Sequence, residues 1–305
     1  MSVREGTAQT QRSGVQVTLL LLAALLLALL AGCREPPPDD PPNPLLYEIA
    51  SADGTVEGWM LGTIHALPEG TRWRTPAITQ AVSEADLLVV EIAALDDSAA
   101  LSRTYAELSA TPGLPPLAAR VPSDLADPLA KLMARGDLDP ARFGATETWA
   151  AAIALAQVDA TGDPANGVDR AVLRDFAGRP VRELEGARGQ LSLFDRLPET
   201  QQRAMLAAVV RESDKTRADP ERLQRAWLAG DADTIEQATR EGFLADPALR
   251  EPLLTGRNQR WANALVPLLG QQPRPLIAVG TAHLVGPEGL VALLEAQGYR
   301  VRRLP

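Results

Sequence analysis

The chain has 305 residues, of which 46% are hydrophobic, and it carries a formal net charge of −9. This hydrophobic content supports a globular domain with a sizeable core, whereas the acidic balance makes nucleic acid and anionic lipid surfaces poor partners. Cys33 is the only cysteine, which excludes an internal disulfide and a catalytic thiol elsewhere in the chain.

The N-terminal segment has the layout of a secretory signal. Arg4 and Arg12 precede an uncharged, mostly apolar stretch over residues 13–32. The stretch ends in Leu30-Ala31-Gly32-Cys33, the pattern of a bacterial lipobox, in which cleavage before Cys33 is followed by lipidation of this cysteine. The alternative is a transmembrane anchor, for which the stretch is near the lower length limit. Either interpretation tethers the following domain to a membrane outside the cytoplasm.

Residues 33–44 form a proline-rich linker between this anchor and the domain. The predicted organisation is therefore a lipoprotein signal peptide at 1–32, the linker at 33–44 and a folded domain at 45–305. Arg34 follows the cysteine, and in a Gram-negative envelope this favours the periplasmic face of the outer membrane. The chain would contact the membrane through the lipid anchor only.

The first elements of the domain predict a β-hairpin that leads into the first histidine. Its two strands are predicted at 45–50 and 55–61. A helix at 76–85 and a short, buried strand at 86–92 follow, the latter because its residues are apolar and β-branched.

The middle of the chain is predicted to be mostly helical, with one strand at 180–184. Amphipathic helices with proline or acidic starts are predicted at 122–135, 146–158, 168–176, 198–213, 220–229, 232–242 and 247–269.

The end of the domain returns to β/α order, with a strand at 275–279, a helix at 288–297 and a last strand at 299–304. The predicted fold class is therefore α/β, with a mixed sheet built from the N- and C-terminal segments. A large helical insertion occupies the middle, at roughly 114–270. An insertion of this size can cover a site or mediate dimerisation, so oligomerisation stays open.

The only two histidines stand in matching frames, Leu61-Gly62-Thr63-Ile64-His65 and Val279-Gly280-Thr281-Ala282-His283. Each frame follows an apolar strand, so both histidines are expected at strand ends, where open α/β sheets gather their ligand sites. In extended backbone Thr63 would share a face with His65, and Thr281 with His283. Each glycine would supply positive φ or a close backbone approach. The two imidazoles could hold a divalent metal; alternatively, one is a general base and the other polarises the substrate.

Several carboxylates are expected near the same crevice. Glu91 ends an apolar strand, where an ionised carboxylate needs a cation or a hydrogen-bonding partner. Glu185 lies at the exit of the strand at 180–184, with Glu183 as a solvated or salt-bridged neighbour on the same face. Asp169 lies in the first turn of the preceding helix, either as a site residue or as an ordinary acid at a helix start.

Arg257 and Asn258 are predicted on a helix beside Trp261. An arginine–asparagine pair can anchor a substrate carboxylate or orient a metal-bound group, and the alternative is a surface pair beside a core tryptophan. The sequence contains no G-x-S-x-G elbow, HExxH helix, P-loop, CxxC pair or Rossmann fingerprint, so it does not indicate those catalytic classes.

Taken together, these segments resemble the TraB/GumN family, which is related to Tiki-type metalloproteases and to erythromycin-esterase-like and ChaN-like proteins. The resemblance implies an α/β fold whose active site combines paired G-x-x-H motifs with a glutamate, here His65, His283 and Glu91. Glu185, Asp169, Arg257 and Asn258 would support them. Many relatives carry threonine where Gly186 stands, so a hydroxyl contact is lost or replaced. The matching segments are L-G-T-I-H at 61–65, V-V-E-I at 89–92, G-V-D-R at 167–170, V-R-E-L-E at 181–185, R-N-Q-R-W at 257–261 and V-G-T-A-H-L-V-G at 279–286.

The leading hypothesis is an envelope lipoprotein with metal-dependent hydrolase activity, in the first instance a peptidase. His65, His283 and Glu91 would bind Mn²⁺, Co²⁺ or Zn²⁺, and a metal-bound water would attack the scissile carbonyl of a peptide or small-molecule substrate. Glu185 would act as general base or fourth ligand. One alternative is a metal-free esterase in which a histidine activates water. The other is a module that binds a peptide or small ligand in the same crevice without turnover.

Overall fold

Six strands form one mixed sheet in the order β4-β3-β5-β2-β1-β6. The computed structural model describes residues 42–305, so the predicted signal segment and Cys33, with most of the linker, lie outside the described residues. The strands are β1 (Leu46–Ala50), β2 (Val56–Thr63), β3 (Leu87–Val90), β4 (Val181–Glu183), β5 (Pro275–Gly280) and β6 (Arg300–Leu304).

The sheet combines both ends of the domain, as the sequence predicts. β5, from the C-terminal part, lies between β3 and β2 and runs parallel to both. β4 is parallel to β3, whereas β1 is antiparallel to its neighbours β2 and β6. The four parallel strands therefore end at the same edge, where the segments after β2, β3, β4 and β5 meet. The predicted fold class is confirmed.

Twelve α-helices accompany the sheet within residues 42–305, and none of them is long and apolar enough to cross a membrane. They are α1 (Pro76–Glu84), α2 (Ser98–Ser109), α3 (Ala126–Arg135), α4 (Thr148–Ala156), α5 (Val168–Asp175), α6 (Gly186–Asp195), α7 (Glu199–Ala218), α8 (Arg222–Ala229), α9 (Ala232–Ala238), α10 (Pro247–Arg250), α11 (Gly256–Leu265) and α12 (Leu290–Ala296).

Three helical regions differ from the sequence-based prediction. The pattern does not predict α2 or α6. The helix predicted at 247–269 is instead divided into α10, a π-helical segment (Glu251–Thr255), α11 and a final 3-10 turn. Pro252 causes the break, because a proline inside a helix has no N–H to donate to the preceding turn.

Alternating residues of the strands build an apolar core on each face of the sheet. Trp59 and Leu61 of β2 pack on one face with α1 and α5, whereas Met60 packs on the other with α11 and α12. Strand β3 contributes to both cores in the same way, through Val90 and Val89. Because both faces are covered, the sheet can present polar groups only at its edges and strand ends.

A third core holds α3, α4 and α7 together as a helical module. Arg120 is buried in this module with 1% of its surface exposed. Its guanidinium donates to the backbone carbonyls of Pro115 (2.8 Å), Thr146 (2.7 Å) and Phe143 (2.7 Å). A single side chain therefore satisfies three backbone carbonyls from two separate segments of the chain.

Replacing Arg120 by methionine is expected to lower the free energy of unfolding by about 2–4 kcal/mol, because buried carbonyls lose their donors. Urea unfolding of the full-length chain, followed by circular dichroism, measures the loss. Arg211→Met is the control, since Arg211 is exposed on α7. Equal midpoints for the two variants would contradict this role of Arg120.

Candidate active site

His65 and Asp169 form a hydrogen-bonded pair at the end of β2. Asp169 Oδ2 lies 2.8 Å from His65 Nδ1, and its Oδ1 accepts a hydrogen bond from Thr63 Oγ1 at 2.6 Å. Asp169 is buried, whereas 71% of the His65 side chain is exposed. The pair therefore fixes the imidazole by its Nδ1 and leaves Nε2 directed away from the carboxylate.

The glycine before α5 explains how Asp169 reaches this position. A Cβ on Gly167 would lie 2.2 Å from the backbone oxygen of His65, so only glycine permits this approach. The next amide, of Val168, donates to Ile64 O at 2.9 Å. The start of α5 is thereby docked against the segment after β2, and the first-turn acid Asp169 faces both Thr63 and His65.

The pair carries opposite charges at neutral pH. The hydrogen bond from Asp169 raises the pKa of His65 to about 9. Burial raises the pKa of Asp169, but the hydrogen bond and charge of His65 outweigh this effect and the net pKa is lowered. Because the folded-state pKa of His65 is raised, the pair stabilises the fold fully below pH 6.5, and this contribution is lost as the pH rises towards 9.

Glu91, directly after β3, is the acceptor for three neighbouring groups. The Gly280 amide donates to its Oε1 at 2.8 Å, while Gln190 Nε2 and Arg257 Nη2 donate to its Oε2 at 2.7 and 2.8 Å. Burial raises the pKa of Glu91, but the nearby positive charges and the Gly280 hydrogen bond lower it overall, so the carboxylate is ionised. The predicted cation partner is thus Arg257.

Arg257 uses all five of its N–H groups inside the site. Nε and Nη2 bind Glu185 at 3.0 and 2.8 Å, and Nη2 also donates to Glu91. Nη1 donates to Leu253 O at 3.2 Å and to His283 Nε2 at 3.1 Å. Since a guanidinium has five donors, none remains to anchor a substrate carboxylate, which is one of the two roles that the sequence suggests for Arg257 and Asn258. The arginine positions the carboxylates.

Two neighbouring features hold Arg257 and Glu185 in place. Arg257 is the second residue of α11 and lies just after the π-helical segment, a type of helix defect that is frequent at functional sites. Trp261, one turn later, lies under the guanidinium at 4.6 Å and donates its indole N–H to Glu185 Oε1 at 3.1 Å. Sequence reasoning had assigned Trp261 only to the core.

Gly186 has a conformational role in the site. Its φ of +71° lies in the region that favours glycine, and a Cβ would lie 2.8 Å from Glu183 Oε1. Its amide donates to Glu91 O at 3.0 Å. This backbone hydrogen bond joins the start of α6 to the end of β3. Glu183 accepts from the amide of Ala93 at the exposed margin of the site.

His283 is the neutral member of the two histidines. Burial lowers its pKa to about 3, so Nδ1–H donates to Asn258 Oδ1 at 2.5 Å and Nε2 accepts from Arg257. Asn258 in turn donates to Glu288 O at 2.7 Å, and the Trp261 ring lies 4.4 Å from the imidazole. Because the pKa is lowered, His283 destabilises the fold progressively as the pH falls from 6.5 towards 3.

The backbone of the second histidine frame is not extended, although the sequence pattern predicts an extended segment. Thr281–His283 is a 3-10 turn and not an extended segment, so Thr281 does not share a face with His283. Thr281 instead packs against the first frame, where a Cβ on Gly62 would lie 2.6 Å from its Oγ1. Gly62 thus permits the close approach of Thr281, which is one of the two roles predicted for the glycines. The two histidine frames are therefore in direct contact.

Replacing Gly62 by alanine is expected to lower the free energy of unfolding by about 1–3 kcal/mol, because the added methyl group overpacks this contact. Chemical denaturation measures the change. Gly144→Ala is the matched control, since no atom lies within 4 Å of a Cβ there. Adding Thr281→Ala should recover part of the loss; a Gly62→Ala variant as stable as the control would contradict this contact.

A pocket of about 210 Å³ opens beside His65. Glu91, Asp169 and Gln190 line it with His65, so groups from β2, β3, α5 and α6 meet there. Arg257, Glu185 and His283 lie behind Glu91 and do not line the pocket. Gln190 was missed by sequence reasoning because the helix that carries it, α6, was not predicted.

The donors predicted to bind metal do not fit a shared ion in this arrangement. Within residues 42–305, no group of three or more His, Cys, Asp or Glu side chains is arranged to hold a metal. Nε2 of His283 and Oε2 of Glu91 both face the Arg257 guanidinium, which supplies the positive charge that a metal would supply. His65, in turn, is paired with Asp169. The predicted metal stays a prediction.

Comparison with known proteins identifies the family. A family model described as the TraB/PrgY/gumN family matches residues 45–303, and this range contains both histidine frames, Glu91, Asp169, Glu185 and Arg257. No curated protein and no solved structure matches the chain. Because the match covers most of the chain, the protein belongs to the TraB/PrgY/gumN family.

Proposed function

We propose that this protein is a hydrolase that cleaves an ester or amide bond with His65 as the acid–base group. The observation that carries the proposal is the Thr63–Asp169–His65 chain of hydrogen bonds beside a pocket. A carboxylate at Nδ1 fixes the tautomer of an imidazole and stabilises the imidazolium that forms when Nε2 accepts a proton.

In the proposed reaction, neutral His65 removes a proton from water at Nε2, and the water oxygen attacks the substrate carbonyl. Asp169 stabilises the imidazolium through Nδ1–H. The same imidazolium then gives its proton to the leaving oxygen or nitrogen as the carbonyl–heteroatom bond breaks. The products are a carboxylic acid and an alcohol or amine, and His65 is neutral again.

Gln190 is the proposed donor to the carbonyl oxygen of the substrate. One N–H of its amide donates to Glu91 Oε2, which orients the amide nitrogen, and the side chain lines the pocket. The second N–H of this amide can stabilise the negative charge that develops during attack. Glu91 and Arg257 act as positioning residues, because they orient Gln190 and hold the strand ends together.

A metal-dependent hydrolase is the second candidate, favoured by one observation. A metal-binding histidine usually donates its second ring N–H to a carboxylate, as His65 does to Asp169. In that case His65 Nε2 would hold the ion, Glu91 would join it only by giving up its contact with Arg257, and the metal would supply a Lewis acid for the carbonyl and for water. The remaining alternative, a binding module, uses the same pocket without turnover.

Hydrolysis assays on the purified full-length chain distinguish these candidates. The substrates are panels of neutral aryl esters and acetylated peptides, each assayed with and without EDTA. The proposal expects turnover that EDTA leaves unchanged and that His65→Ala removes. Turnover that EDTA removes and Mn²⁺ or Co²⁺ restores would support the metalloenzyme. Binding of these compounds without any cleavage would support the binding module.

We also propose that the domain is anchored in the bacterial envelope through lipid on Cys33, because the lipobox pattern precedes a proline-rich spacer. Cys33→Ala is expected to move the protein from the membrane fraction to the soluble fraction of cells. Mass spectrometry of the mature N-terminus should show a diacyl modification in the wild type only. Membrane association that persists in Cys33→Ala would indicate an uncleaved transmembrane anchor.

A further inference from the structure

The pocket beside His65 has two chemically different walls. Its polar wall contains His65 with Glu91, Asp169 and Gln190. Its apolar wall is formed by Val90, Ile92, Leu95 and Pro164. Both walls belong to the space next to the proposed base, so a group bound against the apolar wall would lie beside the bond that is cleaved.

The charged groups of this pocket already have partners inside the protein. Glu91 binds Arg257, Asp169 binds His65, and Arg170 binds Asp96 Oδ1 at 2.7 Å. A charged substrate group would lose its hydration in the pocket without gaining a free counter-charge. The pocket therefore favours a neutral group.

The volume of the pocket sets the size of this group. At about 210 Å³ it exceeds the cavity of about 150 Å³ that holds benzene in an engineered protein. It is smaller than the pockets of about 300–1,000 Å³ that enclose drug-sized ligands. The space suits one branched aliphatic or aromatic side chain and not a longer segment.

Arg170 fixes the apolar wall relative to the base. Its Nη1 donates to the backbone oxygen of Leu95 and to Asp96, and these contacts hold the segment after β3 against α5. Arg170 is the neighbour of Asp169 in the first turn of α5. The same helical turn therefore positions His65 and the wall that contains Leu95.

We propose that this pocket is the subsite for one neutral, apolar side chain adjacent to the scissile bond. The substrate class is then an ester or amide of a leucine-like or phenylalanine-like acyl group. The cleavage rests on the proposed function, whereas the binding of the side chain does not. Leu95 is the specificity-determining residue, and Arg170 positions it.

Binding is tested by saturation-transfer NMR with three probes: N-acetyl-leucinamide, N-acetyl-glycinamide and N-acetyl-lysinamide. Burial of a leucine side chain is worth about 1.5–3 kcal/mol, so the leucine probe should bind at least about tenfold more tightly than the others. Leu95→Trp, which fills the pocket, should remove this preference. Leu223→Trp is the matched control, since Leu223 is an exposed leucine on α8.

A second variant, Leu95→Ala, keeps the subsite testable if Leu95→Trp fails to fold. Leu95→Ala enlarges the pocket without adding bulk, so it should shift the preference from N-acetyl-leucinamide to N-acetyl-phenylalaninamide. Equal binding of all probes, no binding at millimolar concentration, or an unchanged preference in both Leu95 variants would overturn the subsite. Binding with the expected preference but without hydrolysis of the matching esters would support the subsite and remove the hydrolase proposal. Hydrolysis without side-chain preference would support the hydrolase proposal and overturn the subsite.

Discussion

His65→Ala is expected to lower kcat/KM for ester or amide hydrolysis by about 10²–10⁴-fold, because it removes the group that transfers protons in both steps. Asp169→Asn is expected to cause a loss of similar size, since an amide can present the wrong partner to Nδ1 and cannot stabilise the imidazolium. His283→Gln should lower the rate much less, because His283 lies behind Glu91 and does not line the pocket. The amide of the glutamine can also replace the hydrogen bonds that His283 makes with Arg257 and Asn258.

The pH dependence separates catalysis from structural damage. The base must be neutral, so kcat/KM should rise with pH through the pKa of His65, which the Asp169 hydrogen bond raises to about 9. In Asp169→Asn the remaining activity should begin to rise at a lower pH than in the wild type, since loss of the negative partner lowers the pKa of His65. Identical pH profiles for the two proteins, with a lower plateau in the variant, would show that Asp169 serves the fold and not the base.

Arg257→Met is expected to lower the free energy of unfolding by about 3–5 kcal/mol. It leaves Glu91 and Glu185 as uncompensated carboxylates, with only 8% and 10% of their side chains exposed. Without the charge of Arg257, burial would raise the pKa of Glu91, so the variant should become relatively more stable as the pH falls towards 5. Urea denaturation of the full-length chain between pH 5 and 8 measures both effects.

Two further variants test the cause of this loss. The triple variant Glu91→Gln/Glu185→Gln/Arg257→Met removes the unpaired charges and should regain part of the stability. Arg240→Met is the surface control, because Arg240 pairs with Glu236 in an exposed ion pair whose attraction is screened by solvent. A loss for Arg257→Met no larger than that of Arg240→Met would contradict the role of Arg257 as the buried cation of the site.

The strand-end positions of the site could be predicted from the sequence. Apolar, β-branched runs mark β3 and β5, and the polar residues that follow them must lie at the carboxyl edge of a parallel sheet. His65, Glu91 and Glu185 are located by this argument. The same reasoning places His283 beside them. It does not predict the 3-10 turn that directs the His283 side chain towards Asn258.

The partners of these residues could not be predicted, because they depend on how helices pack over the strand ends. Helix α6 begins with Gly186 and includes Gly189, and glycine weakens helical propensity, so neither this helix nor Gln190 was expected. Helix α2 buries only Ser109 and therefore lacks the apolar stripe that periodicity detects. The contacts of Arg257 required the position of α11, which no local pattern specifies.

The two histidines differ in chemical state, because the hydrogen bond with Asp169 favours the charged form of His65 whereas burial keeps His283 neutral. The chain contains only these two histidines, so ¹⁵N NMR of histidine-labelled protein reports both imidazoles, and His65→Ala assigns them. His65 is expected to titrate well above pH 6.5, towards 9, whereas His283 is expected to stay neutral from pH 5 to 9. Two imidazoles that both titrate near 6.5, or both respond to a chelator as ligands of one ion, would contradict this difference in chemical state.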